Sequence, residues 1–331
     1  MLRFSRALWE KGAAAGLVTH PRDLFYLVGT AQPANLLLRP DREPVLFARR
    51  FFDRVRAEAF LDDVRRSSAL DPLAALLGDE PRPGPLALAL DVIPAGLASK
   101  TQNALRFDEV CDYSPVLMRQ RAVKGPDEIS AIRQSAEIFA AADETIRHRA
   151  RPGMTERELA AHVSRAVRLA GHDGHVFYRR WDACLQPEGI VTSGPNATAL
   201  SGHAMTITGI GASPALPFGA SDRALAQHDL LTIDIGLFRA GYHADIARSY
   251  SLGTPSAAVA KVVAAVEAAH AAALAAVVPG APASAAYHAA QESVEDAGFS
   301  EFFQGHGDDQ GHYVGHGVGI ELDDLPVLGP T

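Results

Sequence analysis

Two aspartates, Asp234 and Asp245, sit inside LLTIDIGLFRAGYHADIARSY (residues 230–250), a stretch whose other residues have the composition of buried β-strands. Unpaired charge is costly in such surroundings, and a metal cation is the obvious partner. The break at Arg239 to Gly241 predicts a hairpin in which the two acids face each other across a tight turn. Further on, His312 and His316 stand four residues apart in GHYVGHGVGIELDDLP. On a helix this would be a zincin-type pair, but Gly311, Gly315, Gly317 and Gly319 oppose a helix and no glutamate follows the first histidine. In extended chain the glycines let backbone pass close to a bound group. One histidine, better His316, can then join the aspartates as a nitrogen ligand; hydrogen-bonded histidines in a glycine-rich turn are the other reading. Arg179 and Arg180, beside Trp181 in FYRRWDA, are candidates for a substrate carboxylate or for an ordinary ion pair. His203 and His228 have no evident partner, and His228 suggests a loop.

These residues need a scaffold, and the chain is long enough to build one from two domains. It has 331 residues, 47% hydrophobic and 21% charged, which is the balance of an ordinary soluble protein. A formal charge of −8 without a Lys/Arg run argues against nucleic acid or an anionic membrane as the main partner and for a small or peptide-like substrate. Cys111 and Cys184 form no CxxC unit, so neither a disulfide framework nor a thiolate zinc site is expected, and a reducing, cytoplasmic compartment suits them. Glu10 and Lys11 interrupt any signal-peptide core, which leaves the Asn196-Ala197-Thr198 sequon without a secretory context.

The first 120 residues read as α/β: GLVTH, LFYLVG, PVLFARR and PLALALDVI as strands between helical stretches, with no glycine-rich phosphate loop. Pro126 and Asp127 open an amphipathic helix with Ile129, Ile132, Ala136 and Phe139 on one face, and the domain boundary is placed just before it. Thr155 and Glu158 form a capping box for a helix that Gly171 closes. Two more helices are expected over 256–278 and 283–297; Lys261, Glu267 and His270 make the alanine-rich first one a packed soluble helix rather than a membrane span.

In order and spacing, the 230–250 stretch and HYVGHGVGIELDDLP, with VTSGPNA upstream and RQRAVKGPDEISAIRQSAEI near the boundary, resemble the pita-bread metallopeptidases: aminopeptidase P, prolidase, creatinase and, more remotely, methionine aminopeptidase. YLVGTAQP and PVLFARR resemble the creatinase-type N-terminal domain. The resemblance implies an α/β (α+β) chain, with a creatinase-like domain over 1–121 and a pita-bread domain over 122–331, forming a homodimer. It also implies a dinuclear centre in which Asp234 binds one metal through both oxygens, Asp245 bridges and His316 binds the second. Manganese, iron, cobalt or zinc would suit these donors. A water held there attacks a polarised carbonyl, so the implied reaction is hydrolysis of a dipeptide, a short peptide or a related C–N bond.

Three features depart from that pattern. The relatives' two glutamate ligands lie in later strands, and the sequence reaches Thr331 before such a segment, so an incomplete pita-bread domain with weak metal binding is expected; Glu321 is no substitute. Phe218 stands in PFG where proline-specific relatives have a histidine. Asp323 stands seven residues after His316, where relatives place an oxyanion-stabilising histidine, and an ionised aspartate would repel the oxyanion. His312 and Asp323 are thus the candidate catalytic residues, and Arg179, Arg180 and Phe218 the candidate substrate contacts. Slow Xaa-Pro cleavage is expected. A metal-free binding protein and a small-metabolite amidohydrolase or lyase are the alternative functions.

Overall fold

Short apolar runs punctuated by proline and glycine build the first unit, residues 1–123 with 179–181. In this computed structural model, which describes residues 1–78, 83–180, 184–200 and 208–331, its elements are α1 (Leu2–Glu10), β1 (Ala15–Val18), α2 (Pro21–Val28), β2 (Ala34–Arg39), β3 (Arg42–Ala48), α3 (Phe52–Glu58), β4 (Val64–Arg66), α4 (Asp71–Leu77), β5 (Leu86–Leu88), α5 (Ala95–Leu105), β6 (Val110–Asp112) and α6 (Ser114–Ala122). The strands form one mixed sheet in the order β4-β3-β2-β1-β5-β6. Its pairs are antiparallel from β1 through β3 and parallel toward both edges.

The run LFYLVG is helix, not strand. Pro21 occupies the first turn of α2, where a missing N–H is harmless, and Gly29 ends it in the left-handed conformation with φ 86°. Leu24, Leu27 and Val28 therefore fall on a buried face, an i, i+3, i+4 pattern that a six-residue apolar run conceals.

The second unit, residues 124–178 and 182–331, contains α7 (Pro126–Glu137), α8 (Phe139–Arg149), α9 (Glu156–Leu169), β7 (Val176–Phe177), β8 (Cys184–Leu185), β9 (Ile190–Ser193), β10 (Leu230–Arg239), β11 (Tyr242–Ser251), α10 (Ala257–Ala276), α11 (Ser284–Asp296), β12 (His316–Gly317) and β13 (Asp324–Val327). The helix expected after Pro126 is interrupted at Ile138, and Ile129, placed on its apolar face, is exposed. Thr155 does cap α9: its Oγ1 accepts from Glu158 N–H at 3.1 Å while Glu158 Oε2 accepts from Thr155 N–H at 2.8 Å.

Side chains of a strand alternate between faces. On β10, Leu231, Ile233, Ile235 and Leu237 pack with Val191 of β9 against Ile146 of α8 and Leu159, Val163 and Val167 of α9. That leaves Asp234 and Gly236 for the opposite face. The sheet thus has one apolar side covered by helices and one side able to carry chemistry.

Helix α10 departs from its expected packing. Only 11% of its most apolar window is buried, and by length and composition alone it could cross a bilayer. Ala269 packs against Ala290 and Val294 of α11, whereas Val262, Val266 and Leu274 are exposed.

Candidate active site

The hairpin that carries the acids is closed by the two residues Ala240 and Gly241, since Arg239 pairs directly with Tyr242. Both turn residues have positive φ, 52° and 90°, which matches the twist-compatible type I′ turn. The register sets Gly236 opposite Asp245 and Asp234 opposite Ala247. The acids are therefore diagonal neighbours on one face and do not face each other directly. Diagonal positions lie about 7–8 Å apart at the backbone, within reach of two side chains converging on one group.

Their electrostatics show the crowding. Burial and then the charge of Asp245 push the Asp234 carboxyl up to about 7, with Asp323 adding to the rise and His316 opposing it. His316 stands at the start of β12, its Nε2 3.4 Å from Asp245 Oδ2 and 3.7 Å from Asp323 Oδ1. Burial alone would lower its pKa. Asp245, the Gly317 carbonyl and the Asp323 charge outweigh that and raise it to about 9. Asp234, Asp245, His316 and Asp323 thus form one interacting group.

The loop between β12 and β13 is fastened to the hairpin by a residue that the sequence did not single out. His243, fully buried, accepts the Phe177 N–H on Nε2 at 3.1 Å and faces the Gly319 carbonyl with Nδ1 at 3.0 Å, so the proton belongs on Nδ1. Its own backbone N–H also donates to Gly319 O, at 2.7 Å. On the same loop, Asp324 pairs with Lys124 at 3.5 Å in an almost fully buried ion pair.

The other expected site residues lie elsewhere. His312 is exposed, and no contact of its side chain with the acidic group is found among the described residues. Arg179 is committed to the first unit. Its Nε donates to Asp91 at 2.6 Å, its two terminal nitrogens donate to Asp23 at 2.8 and 3.2 Å, and one of them also reaches Ser114 Oγ at 3.1 Å. Asp23 is itself buried; burial would raise its carboxyl, but His20 and Arg179 hold it well below the usual carboxylate range. Of the two readings of Arg179, substrate carboxylate or ion pair, the structure shows the second: the guanidinium is a member of a buried ion cluster. Arg180 is exposed, and Trp181 and His203 lie outside the described residues.

Phe218 is buried against Val176, Ile190 and Leu322, and it lines a cleft of about 560 Å³ with Ala160 and Ser164 of α9, Gly189 and Gly219. Asn196 is buried with its amide donating to Glu156, so the sequon is not presented by the folded chain. No composition or period signals Glu156 or His243, because their partners are 37 to 76 residues away.

Comparison with known proteins places this arrangement. Residues 130–331 match Metallopeptidase family M24 and residues 1–123 match the Creatinase/Prolidase N-terminal domain. The chain is 31% identical over 343 aligned positions to the "Probable dipeptidase PepE" of Mycobacterium bovis, covering 99% of this chain and 81% of that one. A crystal structure of dipeptidase PepE from Mycobacterium ulcerans superposes with TM-score 0.76 at 27% identity, covering 99% of this chain and 82% of that one. The prolidase from Pyrococcus horikoshii OT3 superposes with TM-score 0.80 at 21% identity, a likeness of fold, covering 99% and 84%. The sheets and helices are those of a pita-bread domain that follows a creatinase-type α/β domain in the sequence. The chain belongs to metallopeptidase family M24.

Members of this family work with divalent metal. Among the described residues no three His, Cys, Asp or Glu side chains are close enough to enclose an ion. The donor chemistry does fit one cation: carboxylates with a single imidazole suit hard or borderline divalent ions, and a cation would relieve the repulsion that raises Asp234.

Proposed function

We propose that this chain is a metal-dependent peptidase that cleaves dipeptides or short peptides, with Asp234, Asp245 and His316 as the residues that hold a divalent cation. The observation that carries the reading is the single interacting group of those residues on the face of the β10–β11 hairpin turned away from the helices, in a chain of family M24. When bound, the cation supplies a polarised carbonyl and a water acidic enough to ionise near neutral pH. The chain's own part is to hold that group in place. The β-ladder sets the spacing of the acids, and His243 ties the His316 loop to the hairpin through Gly319. Asp323, beside His316, presents a negative charge where an oxyanion would gain from a donor, so turnover of Xaa-Pro and other peptides is slow.

Dipeptide cleavage is also suggested by the relatives, which include a probable dipeptidase and the Xaa-Pro dipeptidases of Pyrococcus horikoshii and Pyrococcus furiosus. The donors do not choose among manganese, iron, cobalt and zinc. The test is a dipeptide panel that includes Leu-Ala and Ala-Pro, assayed after loading with each metal and again after chelation, with metal content measured in parallel. Hydrolysis that needs metal and disappears in Asp245→Ala is expected. Bound metal with no cleavage of any peptide would overturn the reading.

A further inference from the structure

Glu156 has no part in the acidic group described above, yet both of its carboxylate oxygens are multiply hydrogen-bonded. It is fully buried at the first turn of α9. Oε1 accepts the Ser193 N–H and the Ser193 hydroxyl, both at 2.7 Å. Oε2 accepts the Asn196 amide at 2.7 Å, the Ser221 N–H at 2.9 Å and the Ser221 hydroxyl at 2.6 Å. A helix N-terminus favours the negative charge, and five donors replace the water it has lost.

Ser221 directly follows the cleft-lining residues Phe218, Gly219 and Ala220, and the other donors come from two neighbouring segments. Ser193 ends β9, and Asn196 lies in the 3₁₀ turn that follows, Gly194–Thr198. Asn196 Oδ1 in turn accepts the Ile210 N–H at 2.8 Å, and Gly219 N–H donates to Thr208 O at 2.6 Å. Ser221 lies three residues beyond Phe218, which lines the cleft together with Ala160 and Ser164. Arg223 closes the arrangement by bridging Ser193 Oγ and Asp229, each at 2.6 Å. One carboxylate therefore holds both ends of the 208–221 segment against α9.

We infer that Glu156 is a positioning residue for substrate recognition: through Ser221 and the Asn196–Ile210 link it fixes Phe218, which packs with Leu322, the neighbour of Asp323. This rests on the peptidase reading for its kinetic consequence, but not for its structural one. Glutamine in place of Glu156 preserves volume and removes one acceptor. Turned one way, its NH2 meets the Ser193 N–H; turned the other, it meets the Ser221 N–H and the Asn196 amide. The hydroxyls can rotate to accept, whereas a backbone N–H cannot.

The test compares wild type with Glu156→Gln and with Asn196→Ala, which cuts the Ile210 link and removes one of the five donors while leaving the carboxylate itself in place. Amide hydrogen exchange is read at Ser193, Ile210 and Ser221, with Val163 of α9 and Ile233 of β10 as controls, and Leu-Ala hydrolysis is measured with metal present. Exchange should rise about tenfold or more at Ser193 or Ser221 in Glu156→Gln and at Ile210 in Asn196→Ala, with the controls unchanged, the size expected for loss of about one buried hydrogen bond. KM should rise about tenfold with kcat within about threefold, the pattern of lost binding rather than lost chemistry. Unchanged exchange at Ser193 and Ser221 in Glu156→Gln and at Ile210 in Asn196→Ala, or equal acceleration at the controls in both variants, would make Glu156 an ordinary core support and overturn the inference. If wild type cleaves no peptide, the functional reading fails and the exchange result alone decides the role of Glu156.

Discussion

Asp323 is the residue at which the proposed slow turnover and the pH behaviour of the site can both be tested. Its carboxylate lies 3.7 Å from His316 Nε2 and contributes to raising both His316 and Asp234. Histidine at this position would exchange a repulsive charge for a donor, and donors of this kind are worth about 100- to 1,000-fold in turnover. Asp323→His is therefore expected to raise kcat for dipeptides by at least about tenfold, and an equal or lower kcat would count against Asp323 as the cause of slow turnover. The same cluster predicts how metal-free protein responds to pH. Asp234 is raised from 3.8 to about 7, so the folded state binds more protons than the unfolded state across that window and stability falls as pH rises through it. His316 is raised from 6.5 to about 9, so its contribution is complete below 6.5 and is lost as pH rises toward 9. Thermal midpoints of the metal-free protein should decline from about pH 4 to about pH 9, with Asp234→Asn flattening the lower part. Added divalent cation should reverse the slope, because its ligands must shed those protons to bind.

Among the elements, the β10–β11 hairpin admits the cleanest perturbation. Ala240 occupies a left-handed turn position, φ 52°, where a Cβ costs roughly 1 kcal/mol and asparagine or glycine is preferred. Ala240→Asn should raise the melting midpoint by about 1–4 °C and leave metal affinity unchanged, since the register that spaces Asp234 and Asp245 stays the same. A changed affinity would mean that the turn, and not the ladder, places the acids. This hairpin was legible in the sequence because its signals are local: alternating apolar residues, a short break and two acids out of place. So was α9, from its capping box. Local signals failed for α2, whose apolar run is too short to distinguish periods of 2 and 3.6, and for the interruption at Ile138, which no proline or glycine marks. The diagonal offset of the acids depends on which residues form the turn, a detail one position wide. Glu156 and His243 were illegible for the opposite reason, since every partner that defines them is remote in sequence and is assembled only by the fold.

For the whole molecule, the exposed apolar side of α10 sets behaviour in solution. Val262, Val266 and Leu274 are 44, 60 and 60% exposed, and Val277 and Val278 just beyond the helix are 56 and 55% exposed. The adjoining side, through Ala269 and Ala273, is covered by α11 residues Ala290 and Val294 and by Phe299, so packing within the second unit has taken one strip of the helix and left the next. Each exposed valine or leucine is worth about 1.5–3 kcal/mol when fully buried, and several on one helix make an apolar patch that associates readily. The net charge of −8 opposes such association only at long range and is screened in ordinary salt. Concentration-dependent self-association is therefore expected in sedimentation velocity at physiological salt. Val266→Glu combined with Leu274→Lys should reduce it without altering metal content, because both side chains are exposed. Flotation with neutral phosphatidylcholine vesicles separates the two surfaces that could cover the helix: wild type staying in solution while self-associating points to protein as the cover, whereas flotation lost in the double variant points to lipid. A wild-type chain that sediments as monomer up to about 100 μM and does not float would show that a patch of this size is tolerated in water, against the general expectation for exposed apolar surface.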